Sequence, residues 1–248
     1  MEEKNTLMER VVSLCKRRGF VFPGSEIYGG FAGIYDYGPL GNDLRHNIKQ
    51  YFWNQFVSAR DDVFGMGAAI LMPERVWEAS GHTELFTDPL IECKTCRERV
   101  RLDQKEAVLA HEATHKKHLG WSETTAFNLL VETRLGSSEK TAAKAYLRGE
   151  ITQGVHVNFK NILDSMHPTI PFGIAQIGKA FRNEITPRDF LFRQREFEQM
   201  ELQYYVRPEE AEGKTQFEYW KQCALEWYQG LGIRKEYLRL RRHAEDER

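Results

Sequence analysis

Residues 172–206 read as two long strands around Thr186-Pro187-Arg188-Asp189, a turn composition. That segment commits the chain to an antiparallel hairpin whose side chains alternate between two faces. One face is expected to carry Arg182 and Glu184 on the first strand, and Arg195, Phe197, Gln199 and Glu201 on the second. It sets cations, carboxylates and an aromatic ring side by side. The opposite face sends Met200, Leu202 and Tyr204 toward a core, interrupted by Glu196 and Glu198. Two readings of the polar face stand here. It is a solvated sheet surface with cross-strand ion pairs, or a site for a phosphorylated planar ligand. In the second case arginine forks a phosphate, the ring stacks on a base and a carboxylate accepts from an amine.

The rest of the chain supplies flanking elements. Leu7, Val11, Leu14 and Cys15 repeat at helical spacing, with Gly19 as a stop. Residues 22–41, rich in glycine and tyrosine, predict an ordered loop whose aromatics are buried. A long helix is expected over 42–59, with Leu44, Ile48, Tyr51, Phe52 and Phe56 on one face. Val63 to Met72 reads as one strand, Pro73 as the first residue of a short helix, 153–166 as helical, and Pro208 to about Gln229 as a helix with Phe217, Trp220, Ala224 and Trp227 on one stripe.

Composition narrows the class. The chain has 248 residues, a formal net charge of −1, 41% hydrophobic and 29% charged residues. That excludes a disordered tail, a collagen-like chain and a strongly basic nucleic-acid coat, while a local basic face would still suffice for RNA. The longest apolar run, Phe64 to Met72, falls far short of the ~18–20 residues of a membrane span. The start, Met1-Glu-Glu-Lys, lacks the apolar core of a signal peptide. Four cysteines are too sparse for a disulfide scaffold, so a reducing, cytoplasmic location is expected.

Residues 90–125 differ from their surroundings and read as a small insertion. Cys93-x2-Cys96 followed by His111-x3-His115 has the spacing of a Cys2His2 zinc site, with Val100 and Val108 as a miniature core. The same residues spell His111-Glu112-Ala-Thr-His115, the zinc-protease pattern, which would need Glu112 as base and a third ligand downstream. No metal, structural zinc and protease zinc all stand as readings here.

Phe181-Arg-Asn-Glu184, followed by Arg195-Glu-Phe-Glu-Gln-Met-Glu201, resembles the second signature motif of class II aminoacyl-tRNA synthetases. More narrowly it resembles glycyl-tRNA synthetases of the homodimeric type. Glu26-Ile-Tyr-Gly-Gly30, Asp36-Tyr-Gly-Pro-Leu-Gly41, the helix after it, Val63 to Pro73 as the dimer-building first motif, and Trp77-Glu-Ala-Ser-Gly-His82 extend the likeness along nearly the whole chain. The resemblance implies an α/β (α+β) fold: an antiparallel sheet flanked by helices, with a small inserted module. It divides the chain into 1–89 with the first motif, 90–125 as the insertion, and 126–248 with the second motif. It implies activation of glycine by ATP with Mg²⁺ and transfer to tRNA(Gly) by a homodimer. Arg182 would hold the α-phosphate as the catalytic arginine, Glu184 the adenine amino group, and Phe197 would stack on adenine. Asn183, Phe192, Arg193, Gln194, Arg195 and Glu196 would complete the ATP site. Glu150 and Glu201 would take the glycine ammonium, with Arg101, Phe197, Glu198, Gln199 and Met200 around them. The turn at Pro187 and Arg188 would face the tRNA acceptor end. In the family the inserted module is often cysteine-bearing, which favours a structural role over catalysis.

Two departures bear on these implications. The family's Arg-Pro-Glu-Thr-Ala-Gln-Gly is here Arg148-Gly149-Glu150-Ile151-Thr152-Gln153-Gly154, and losing the proline is expected to loosen the loop that presents Glu150 and weaken glycine binding. A third motif, glycine-rich with an ATP-binding arginine, is not found after the hairpin, nor is an anticodon-binding domain. A catalytically incomplete, synthetase-like ATP or RNA binder is therefore the alternative function.

Overall fold

In the computed structural model of the chain, residues 6–138, 140–185, 187 and 190–243 are described. Thr6 starts helix α1 (Leu7–Arg17) through a reciprocal capping box with Glu9. The helix forms as expected, but its apolar stripe is not covered: Leu7 is 75% exposed. Short strands β1 (Val21–Pro23) and β2 (Tyr35–Tyr37) pair antiparallel across the glycine-rich loop. The loop is ordered, yet Ile27, Tyr28 and Phe31 at its tip stand in solvent, against the expectation of burial.

Helix α2 (Pro39–Trp53) begins three residues earlier than the apolar spacing indicates, because Pro39 opens it behind Gly38. It ends in a π-helical turn, Asn54–Ser58. The single strand expected over Val63–Met72 is two: β3 (Val63–Met66) and β4 (Leu71–Pro73), in different sheets. The reason lies between them. Ala68 takes its backbone partners from side chains, with its N–H given to Gln176 Oε1 at 3.5 Å and its carbonyl receiving Arg148 Nη1 at 3.0 Å. A strand neighbour is thereby replaced and the chain turns away. Pro73 stands just before helix α3 (Glu74–Ala79), one residue outside its expected place. Helix α4 (His82–Leu85) follows.

Strands β5 (Thr87–Glu92), β6 (Arg99–Arg101) and β7 (Thr125–Asn128) make an antiparallel sheet in the order β6-β5-β7, with helix α5 (Lys105–Ala113) beside it. Strands β8 (Val131–Leu135) and β9 (Ala143–Leu147) join β4 in the order β4-β9-β8. Helix α6 (Thr152–Met166) then leads to the long pair β10 (Phe172–Phe181) and β11 (Glu196–Tyr205), and helix α7 (Glu210–Gly230) closes the chain. β10 pairs antiparallel with β11 over its full length and parallel with β3, so the central sheet is mixed rather than wholly antiparallel.

The alternation of β11 works as the sequence reads. Met200, Leu202 and Tyr204 pack with Phe52, Phe56, Val63 and Trp227 of α2, β3 and α7. The other face of the sheet is backed by α6, where Val155, Phe172 and Ile174 are buried. A third core gathers Met72, Trp77, Leu130 and Tyr146 around the β4-β9-β8 sheet. No helix among the described residues is long and apolar enough to cross a membrane.

Candidate functional site

The hairpin is shorter in pairing than expected. β10 stops at Phe181, so Arg182 and Glu184 lie beyond the strand rather than on one of its faces. The backbone explains it. Arg182 N–H still donates to Arg195 O at 2.9 Å, but Asn183 N–H turns to Leu129 O at 2.8 Å and Glu184 N–H folds back on Arg182 O. Arg195 precedes β11 and is anchored elsewhere, donating to Glu184 O and Ala32 O and giving its own N–H to Gly33 O. Of the turn, Thr186, Arg188 and Asp189 lie outside the described residues.

Arg182, Glu184, Phe197 and Arg193 still come together, lining a cavity of about 530 Å³. Phe192 and Gln194 line it too, although the Phe192 ring is 83% exposed. Arg182 is held flat: its guanidinium lies 5.1 Å from the Phe86 ring centre and 5.2 Å from that of Phe197. Its Nε donates to Gly149 O at 3.1 Å. Glu184 is buried, and its carboxylate accepts from Arg193 Nε at 2.6 Å.

The segment 149–153 crosses the same face. Ile151 N–H donates to Gln199 Oε1 at 3.2 Å, and Thr152 Oγ1 donates to Glu201 at 2.6 Å. Glu150 accepts from Gln153 at 2.8 Å and stands 3.3 Å from His82 Nε2. Gly149 is closely packed. Its carbonyl accepts from Arg182, and a Cβ there would stand 3.0 Å from Phe86 and 3.2 Å from Leu130.

Three expected site residues have partners of their own. Glu196, on the far side of the strand alternation from Phe197, pairs with Lys179. Glu198 is bridged by Lys49 at 3.0 Å and Arg45 at 3.4 Å of α2. Met200 packs into the core. Glu198 and Met200 touch the cavity only from the opposite face of β11 to Gln199 and Glu201, which removes them from the Glu150 side.

Two further charges, Arg148 and Asp88, lie buried nearby. Arg148 is 3% exposed and donates to Lys179 O at 2.7 Å, in a space that exists because residue 178 is glycine: a Cβ there would meet Arg148 Nη2 at 2.0 Å. Burial lowers the pKa of Arg148, and the Glu201 charge opposes that shift. Asp88 of β5 is also buried. Its carboxyl is raised by desolvation despite Arg101 against it and Arg193 at 3.6 Å. Arg101 also bonds Asp103 through Nε at 3.0 Å and Nη2 at 2.6 Å. It belongs to a charge chain Asp103–Arg101–Asp88–Arg193–Glu184 that ties the inserted module to the loop between β10 and β11.

The module brings its four candidate ligands together. The ligating atoms of Cys93, Cys96, His111 and His115 lie within 4.8 Å of one another. Glu112, the would-be protease base, is engaged by Trp121 Nε1 at 2.7 Å. With four donors converging, no position is left open for a catalytic water.

Known proteins resemble the chain over most of its length. The family profile described as tRNA synthetase class II core domain (G, H, P, S and T) matches residues 136–247. Curated relatives named glycine–tRNA ligase match almost all of the chain. That of Treponema denticola is 46% identical over 252 residues, covering 100% of this chain and 54% of the relative. That of Treponema pallidum subsp. pallidum is 48% identical over 242 residues, covering 97% and 52%. That of Geobacillus thermodenitrificans is 43% identical over 279 residues, covering 100% and 59%. Over nearly its whole length the chain is similar to these glycine–tRNA ligases, and residues 136–247 match the class II tRNA synthetase core. It spans about half the length of the curated relatives it matches.

Proposed function

We propose that the protein is a glycine–tRNA ligase, and that this chain carries the face on which glycine and ATP react. The observation that supports this best is the stitching of the 149–153 segment onto Gln199 and Glu201, beside an Arg182 clamped by two rings. Among the described residues the Arg182 guanidinium donates through Nε, to Gly149 O, which leaves its terminal nitrogens for the α-phosphate. Phe197 offers a ring for adenine, and the buried Glu184 an acceptor for the adenine amino group. Glu150 and Glu201 offer carboxylates to an ammonium, and their partners crowd the space a side chain would need.

The chemistry follows in two steps. The glycine carboxylate attacks the α-phosphorus of ATP and pyrophosphate leaves, with Arg182 stabilising the charge that grows on the α-phosphate oxygens. The adenylate then passes glycine to a hydroxyl of the terminal tRNA adenosine. No protein nucleophile is needed, so the protein's part is positioning and electrostatics. Magnesium enters with the nucleotide, where it neutralises phosphate charge. A homodimer built through the first-motif region and a cytoplasmic location complete the reading. ATP–pyrophosphate exchange with each amino acid tests it: exchange with glycine alone is expected, and exchange driven by another amino acid would overturn the assignment. Nucleotide binding without exchange would favour the non-catalytic binder.

A further inference from the structure

The inserted module holds a cluster that the aminoacylation reading does not use. We propose that Cys93, Cys96, His111 and His115 bind one zinc ion as a closed structural site, with Glu98 and His118 as outer supports. The inference is independent of the proposed activity.

The donor atoms fit a tetrahedral ion. With Zn–N near ~2.05 Å and Zn–S near ~2.3 Å, tetrahedral geometry sets N···N at about 3.35 Å and S···N at about 3.55 Å. His111 Nε2 and His115 Nε2 are 3.2 Å apart. Cys96 Sγ is 3.4 Å from His111 Nε2, and Cys93 Sγ is 3.8 Å from His115 Nε2. Two sulfurs and two imidazoles at these spacings select zinc over the oxygen-loving divalent cations.

Three imidazoles approach the sulfurs, and their second nitrogens sort ligand from support. His111 Nδ1 faces the Glu98 carboxylate at 3.4 Å. Its proton therefore sits on Nδ1, and Nε2 presents a lone pair to the cluster, the carboxylate–histidine arrangement of zinc sites. His118 is wired the other way. Gly120 N–H donates to its Nδ1 at 3.2 Å, so the proton of the neutral ring sits on Nε2, which points at Cys93 Sγ from 3.5 Å. It donates to the thiolate and does not ligate.

The backbone is shaped for the task. Arg97 N–H closes on Cys93 O at 2.8 Å, and Cys93 N–H donates to Glu98 O at 2.8 Å. The knuckle needs a left-handed residue, and Arg97 supplies it at φ 67°. The Trp121 ring lies tilted against His111 and His118, and its Nε1 donates to Glu112, which occupies that carboxylate.

Metal analysis of the purified full chain, expressed with zinc supplied, tests this. One zinc per chain is expected, with a fall in melting temperature on stripping and recovery on zinc return. Cys96→Ser and His115→Ala should lose the metal, His118→Gln should keep it, and Glu98→Ala should weaken it by about 10- to 100-fold. Cobalt replacement in the wild-type chain should give the visible spectrum of a tetrahedral site with thiolate ligands, a readout that does not depend on variants folding. A wild-type chain without metal, a six-coordinate cobalt spectrum, or metal loss in His118→Gln with retention in His115→Ala would overturn the proposal.

Discussion

Arg182 owes its usefulness to what surrounds it. Phe86 and Phe197 fix its plane, and Gly149 O takes Nε, so the fork is preorganised before a phosphate arrives. Lysine cannot reproduce a stacked planar fork. Arg182→Lys should therefore lower kcat for pyrophosphate exchange by about 100- to 1,000-fold while leaving the melting temperature in place. His82 acts at one remove. Its Nδ1 is 2.9 Å from Ser80 Oγ and its Nε2 is 3.3 Å from Glu150, so it braces the carboxylate proposed for the ammonium. His82→Ala should raise the glycine KM about tenfold, or ~1.4 kcal/mol, with the ATP KM unchanged. An equal rise in both would mean that the ring merely supports the fold. At this scale the sequence was legible where chemistry repeats in short motifs, as around Arg182, Glu184 and Phe197. It marked Arg148 as part of a motif without a role and was silent on Asp88, because the partners of both lie on other elements.

Among elements, β10 and β11 show why some structure reads easily. Two ten-residue strands carry enough alternation to fix faces and register. The split between β3 and β4 was not legible, because a continuous apolar run does not say which sheet each half joins, and the decisive partners, Gln176 and Arg148, are distant in sequence. Arg148 needs the hole at Gly178, so Gly178→Ala should cost about 1–3 kcal/mol in chemical unfolding. A second cross-element clamp joins the segment before β3 to β11 and α7. Arg60 bonds Asp62 through two nitrogens at 2.8 Å and lies 4.7 Å from the Trp220 ring centre, while Tyr204 donates to Asp62 at 2.7 Å. The Arg60 guanidinium holds the Asp62 carboxyl below its usual range. A depressed folded pKa means that the stabilisation is complete above the ordinary carboxylate range and is lost as pH falls through the folded value. Asp62→Asn should thus lower the urea midpoint at pH 7, and the gap to wild type should narrow below about pH 4. A gap independent of pH would assign the effect to packing.

At the scale of the molecule, three small sheets and one long hairpin converge on one face. The central sheet offers Phe197, Gln199 and Glu201, and the segment between β9 and α6 lies across them. The inserted module reaches the same place through Arg101, Asp88 and Arg193, so stripping metal from its Cys-His cluster should raise the ATP KM through Glu184. The homodimer reading calls for a sedimenting species of twice 29.0 kDa. A species of 29.0 kDa at every concentration would count against it for this chain. The central claim is that the β11 face with its crossing segment binds activated glycine. Calorimetry with a non-hydrolysable glycyl-adenylate analogue tests that most directly. The expected result is saturable binding, at least tenfold weaker for Arg182→Lys and for Glu201→Gln, and far weaker for the alanyl analogue. Equal binding of the glycyl and alanyl analogues, or binding untouched by both substitutions, would contradict the claim.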